Sequence, residues 1–140
     1  MKTPYLLVAV TTSLFFATSS CKRTKKLFFE NPLAVSTTEA ANIPFELLTK
    51  DISHYQGRFV ETEGIFHWSL EECSLSAVVS SDRPNMFWLS LGEGLNIDLA
   101  SFEKMDGEHI ILRGKIDTAS KGQLSQYLAR IKQVYYWKVL

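Results

Sequence analysis

The chain has 140 residues and no formal net charge, with 15 Lys and Arg against 15 Asp and Glu, which fits one ordinary domain with a short appendage. With 46% apolar and 12% aromatic residues it has ample material for a packed core, which excludes a disordered tail protein. The two cysteines, Cys21 and Cys73, are too few for a disulfide-stapled mini-domain, and neither belongs to a Cys-x-x-Cys pair that could start a zinc site.

At the amino terminus Lys2 precedes an apolar stretch from Tyr5 to Ala17, and the small residues Thr18, Ser19 and Ser20 stand immediately before Cys21. This is the layout of a secretory signal peptide over residues 1–20. A permanent transmembrane helix is the weaker reading, because crossing a bilayer takes about 20 apolar residues. A Cys directly behind small residues resembles a bacterial lipobox. That resemblance implies an acylated Cys21 (palmitate being one such chain) as the new amino terminus, facing the periplasm. The sequence departs from the pattern at Thr18, where Leu is usual, and plain secretion is the alternative. Cys21 to Lys26 includes Lys22, Arg23, Lys25 and Lys26, a run suited either to anionic headgroups or to the start of a solvated linker. Leu27 to Asn42 keeps no strict period, so residues 21–42 read as a membrane-proximal tether and residues 43–140 as the folded domain.

Those last 98 residues carry ten basic and thirteen acidic side chains. Nucleic-acid binding draws much of its affinity from neutralising phosphates, so a mildly acidic domain is not expected to bind nucleic acid.

Within the domain, Pro44 followed by Phe45 to Lys50 predicts a short amino-terminal helix, with Phe45, Leu48 and Ile52 on one side. After the turn His54 to Gly57, Arg58 to Trp68 reads as a first strand in which Val60, Thr62, Gly64, Phe66 and Trp68 share one parity. Cys73 to Ser80 alternates Cys73, Leu75, Ala77 and Val79 with Ser74, Ser76, Val78 and Ser80, a half-buried second strand. A turn cluster, Ser81 to Asn85, leads to a third strand, Met86 to Leu91, with Phe87, Leu89 and Leu91 on one face. Leu99, Phe102 and Met105 have helical spacing behind Asp98, a capping residue. His109 to Thr118 then alternates as a fourth strand. Ser125 to Val139 reads as a fifth, with a bulge between Lys132 and Tyr136.

An internal echo organises these strands. Gly57 and Gly64 flank Arg58 to Glu63, and Gly107 and Gly114 flank Glu108 to Arg113. Glycine inside a strand is costly unless the chain bends or is closely approached there, so matched glycines suggest long, curved strands of a small closed barrel. Three strands, a helix and two strands is the element order of a five-stranded OB-like Greek-key barrel, mainly β, with a short helix between strands three and four. Tyr55-Gln56-Gly57-Arg58 leading into Val60 and Gly64, then Phe87-Trp88-Leu89, Gly107 leading into Gly114, and Lys121-Gly122 resemble a group of small bacterial OB-like proteins. The resemblance spans Phe45 to Trp137 and implies the fold, with no activity, cofactor or catalytic residues attached.

OB-folds bind ligands across strands two and three, between the loops joining strands one to two and four to five. The outward parity there comprises Ser74, Ser76, Val78, Met86, Trp88 and Ser90. Trp88 is the expected anchor for a protein, peptide or glycan, unless the amino-terminal helix covers it. The one constellation for chemistry is His67, Glu71, Glu72 and Cys73, the basis of an alternative reading as an envelope enzyme or metal-binding protein. It requires His67 and Cys73 to converge in a cleft. The parity of Cys73 with Leu75 instead predicts a buried small hydrophobe. No Gly-rich phosphate cradle, Gly-x-Ser-x-Gly elbow or His-Glu-x-x-His motif is present. The sequence thus predicts an exported, lipid-anchored binding module without cofactor, metal or catalytic residues.

Overall fold

The computed structural model describes residues 27–79 and 81–140, so the expected signal peptide, Cys21 and the basic run lie outside the described residues. Among the described residues seven strands form: β1 (Phe28–Glu30), β2 (Ala41–Asn42), β3 (Phe59–Ser69), β4 (Glu72–Ser76), β5 (Phe87–Leu91), β6 (His109–Asp117) and β7 (Ala129–Val139). Three short helices accompany them: α1 (Pro32–Thr37), α2 (Phe45–Lys50) and α3 (Leu99–Met105). Five strands close on themselves. β3 pairs with β4, β4 with β5, β5 in parallel with β7, β7 with β6, and β6 back with β3. With α3 between β5 and β6, this is the expected OB-like barrel, carrying two additional strands.

The echo has a geometric basis. β3 and β6 are antiparallel neighbours in a register that sets Thr62 opposite Leu112. Thr62 and Leu112 occupy the same place in the two units, five residues after Gly57 and Gly107, so each unit pairs with its own copy about a local two-fold. Gly64 lies opposite Ile110 and Gly114 opposite Val60. Beside Gly64, β3 passes from β6 to β4: Ile65 pairs with both His109 and Ser76. A Cβ on Gly64 would stand 2.5 Å from the Ser76 carbonyl oxygen. Gly114 sits at a bulge. Between the pairs Arg113–Tyr136 and Lys115–Lys132, β7 advances further than β6, and Gln133 takes a left-handed φ of 53°. The irregularity expected between Lys132 and Tyr136 is therefore present, and it sets Ile131, Lys132 and Val134 around Gly114, where a Cβ would stand 2.7 Å from Ile131 Cγ2.

The core follows the strand parities. Val60, Phe66, Leu75, Phe87, Leu112, Ile131 and Trp137 are buried inside, and Trp137 meets Phe66 edge-on at 4.8 Å. α3 closes the barrel with Phe102 and Met105, and Trp68 stacks on Phe102 at 4.7 Å. Asp98 caps this helix by accepting from the Ser101 amide at 2.6 Å, a bond that holds its carboxyl below the usual carboxylate range. Leu99, expected beside Phe102, is instead 64% exposed in the first turn. α2 buries Phe45 and Leu48, with Phe45 edge-on to Phe87 at 5.1 Å.

Two expectations are corrected. The second strand ends at Ser76 rather than Ser80, and Ala77, Val78 and Val79 are exposed in the connection to β5. Leu27–Asn42, read as tether, is part of the fold. β1 pairs with residues 136–138 of β7, beyond the stretch that β5 occupies, and β2 runs parallel to Val60 and Glu61 on β3. Both cover strand edges that the barrel leaves open. Asn31 locks the crossing between them. Its side chain accepts from the Leu33 and Ala34 amides and donates to the Glu93 carbonyl, while its own amide donates to Tyr135. The segment shows no period because it is held mainly by backbone pairing, and α1 buries no residue.

Candidate functional site

The outer face of β4 and β5 is built from one row of side chains. The registers place His67 opposite Ser74, Ser74 opposite Trp88, Trp88 opposite Arg130 and Arg130 opposite Asp117. Above this row the β3–β4 turn and the β6–β7 loop leave a groove of about 500 Å³, lined among others by Trp68, Leu70, Glu71, Glu72, Trp88 and Arg130. The groove occupies the position predicted for an OB-like barrel.

Trp88 is half-buried. Its cover is the β6–β7 loop rather than α2, whose Phe45 packs against the inward-facing Phe87. The Gly122 backbone lies directly on the indole, where a Cβ would stand 2.6 Å from Trp88 Cγ. Tyr127 meets the ring edge-on at 5.1 Å. Glycine is required at position 122 both by that approach and by its φ of 67°. One part of the Trp88 ring is thus fixed, and the remainder lines the groove.

Around it the polar groups are pre-positioned. Glu72 Oε1 accepts from Ser74 Oγ at 2.9 Å and from the Tyr127 hydroxyl at 3.5 Å. Burial, then the Glu72 carboxylate, raises the Tyr127 phenol above its ordinary value and keeps it protonated as a donor. Arg130 donates from Nε to Ser90 Oγ at 2.8 Å. Among the described residues its terminal nitrogens have no protein partner. A held carboxylate and a held guanidinium therefore share a groove with two indoles, an arrangement that offers hydrogen bonds at both ends of an apolar platform.

The other expected contacts divide. Ser74 and Ser76 are fully buried, and Met86 is buried with its carbonyl accepting from Leu128. None of these three can touch a ligand in the groove, although they lie on or next to the expected face. Ser76 Oγ donates to the Val78 carbonyl at 2.6 Å, which uses its only proton, so His67 donates to the same oxygen from Nε2 at 2.7 Å. Ser90 acts by orienting Arg130.

His67 and Cys73 do not converge. His67 belongs to the outward row and does not line the groove, whereas Cys73 pairs with Trp68, is half-buried against the core and lies in the groove wall. Burial, reinforced by the Glu72 charge, pushes the Cys73 thiol up to about 12. A thiol so shifted stays protonated at neutral pH and is a poor nucleophile. At pH 8 Cys73 should be alkylated by iodoacetamide at least about tenfold more slowly in the native protein than in urea, as mass spectrometry would measure. Equal rates would contradict its raised pKa. No cluster of three metal-ligating side chains occurs among the described residues. His54 is exposed and contacts Arg58, apart from this region.

The sequence reading missed Arg130 and the loop residues Gly122 and Tyr127. Arg130 has outward parity on β7, but only the parallel register of β5 with β7 brings it beside Trp88, and that register is not written in either strand alone. No family model, curated protein or solved structure matches the chain.

Proposed function

We propose that this protein is an exported, lipid-anchored binding module for a protein or envelope component, with no catalytic role of its own. The observation that carries the reading is the groove in which Trp88 is flanked by a pre-positioned Glu72 and Arg130. Acidic side chains at Glu71 and Glu72 disfavour polyanions, leaving peptides, glycans and basic protein surfaces as occupants. The separation of His67 from Cys73 and the protonated thiol support binding over chemistry.

Photo-crosslinking in cells tests the site. A photoreactive residue at Leu70 or Gln123, on the two loops that border the groove, should give a discrete adduct. The same residue at Leu33 on α1, which is likewise exposed to solvent, should give none. Adducts from Leu33 alone, or from all three positions alike, would reject the groove. The anchor is tested separately: Cys21→Ser should move the protein from the membrane to the soluble fraction, and a wild-type chain found fully soluble would reject acylation.

A further inference from the structure

With the described fold reaching back to Leu27 rather than to Ile43, at most residues 22–26 separate Cys21 from it. Even fully extended, that link reaches only about 20 Å. A compact domain of this size has a radius of gyration of roughly 13 Å, so the link is shorter than the domain is wide. An anchor at Cys21 therefore keeps the end of the barrel at Leu27 close to the bilayer.

That end has a composition to match. The Val139 amide donates to the Leu27 carbonyl, and the Leu140 amide to the His109 carbonyl, which brings the end of β7 beside the start of β1. Phe28 is 47% exposed and Leu140 44% exposed. Phe28 leans edge-on against Tyr136 at 5.3 Å and lies opposite Lys138 in the register. Four of the five link residues, Lys22, Arg23, Lys25 and Lys26, are basic; Glu30 is the nearest acidic residue along the chain to Phe28, and Glu108 precedes His109, whose carbonyl accepts from Leu140. Exposed apolar side chains next to a dense basic run suit an interface of acyl chains below anionic headgroups. Resting on the reading of Cys21 as acylated, we propose that the barrel end formed by Leu27, Phe28, Lys138 and Leu140 docks on an anionic phospholipid surface. The anchor thereby holds the domain in a fixed posture instead of letting it swing.

The test uses the chain from position 21 carrying Cys21→Ser, which retains every described residue and lacks the acyl group. Co-sedimentation is measured with vesicles of phosphatidylcholine alone and of phosphatidylcholine mixed with phosphatidylglycerol. Binding is expected to the mixed vesicles only, weakening as salt rises. It should fall by about fivefold or more in Leu140→Glu, which lies beyond the last strand and so leaves the fold intact, and in Phe28→Ser. An absence of binding to the mixed vesicles overturns the surface. Binding unchanged in both variants also overturns it, since the basic run alone would then account for the attraction. Mass analysis of the mature wild-type chain separates the premise from the proposal. An unmodified Cys21 rejects anchor and posture together, whereas a modified Cys21 without vesicle binding rejects the posture alone.

Discussion

Trp137→Ala should cost the domain about 4 to 5 kcal/mol, near the upper end for truncating a core aromatic, and leave little folded protein at physiological temperature. Trp137 is fully buried where the barrel wall meets α3, with Phe66 edge-on at 4.8 Å and Phe102 at 5.9 Å. Removing it opens a cavity that these two rings cannot fill without leaving their own contacts. Trp137→Phe should behave differently. The indole Nε1 is buried without a hydrogen-bond partner, and an unpaired buried donor carries a desolvation cost of roughly 1 to 3 kcal/mol. Phenylalanine loses some volume but removes that cost, so its net effect should stay within about 1 kcal/mol of wild type. Urea unfolding of the two variants measures both. A Phe variant as unstable as the Ala variant would show that shape, and not the orphaned donor, decides what position 137 tolerates.

Trp137 also illustrates what was legible in the sequence. Its parity with Ala129, Ile131 and Tyr135 is visible along β7 alone, as are the parities of β3 and β6, because a half-buried strand writes its inner face into every second residue. The bulge was visible only as a break in that alternation. The amino-terminal arm was not visible, since backbone pairing to an edge needs no pattern of side chains, and β1 and β2 together contribute five residues. β4 looked longer than it is because Ala77 and Val79 continue its alternation after pairing has ended. Local alternation reports which residues could pair, whereas the β4–β5 register decides where pairing stops.

The candidate site divides in the same way. Trp88 was found because an outward aromatic between Phe87 and Leu89 breaks the polarity expected of that face. Ser74 and Ser76 share that outward parity and are nevertheless buried, because parity gives direction and not exposure. Glu72, itself held by Tyr127, bonds to Ser74, and His67 and the Val78 carbonyl bond to Ser76. A face read from one strand is therefore an upper limit on the surface a ligand can reach. The lower limit comes from elements far away in sequence, here Gly122 lying on Trp88.

Gly64→Val should be the most damaging of three glycine substitutions in β3, β6 and the turn before β3, by about 3 kcal/mol, lowering the thermal midpoint by roughly 10 to 20 °C. The reason is spatial. Gly64 does not adopt a left-handed conformation, but its missing Cβ would stand 2.5 Å from the Ser76 carbonyl oxygen and 3.0 Å from Leu75 Cγ. The first obstacle is backbone, and it can retreat only if β4 separates from β3 at the place where the long strand passes from one partner to the other. Gly114→Ala should cost less, about 1 to 2 kcal/mol, because the nearest obstacle is a methyl group, Ile131 Cγ2 at 2.7 Å, beside a bulge able to adjust. Gly57→Ala meets nothing within 4 Å and bears only the strain of its φ of 75°, about 1 kcal/mol. Calorimetry of the three variants should return that order. If Gly64→Val melted with or above Gly57→Ala, β4 would not press on β3 there, and the close approach that lets five strands complete the barrel would have to lie elsewhere.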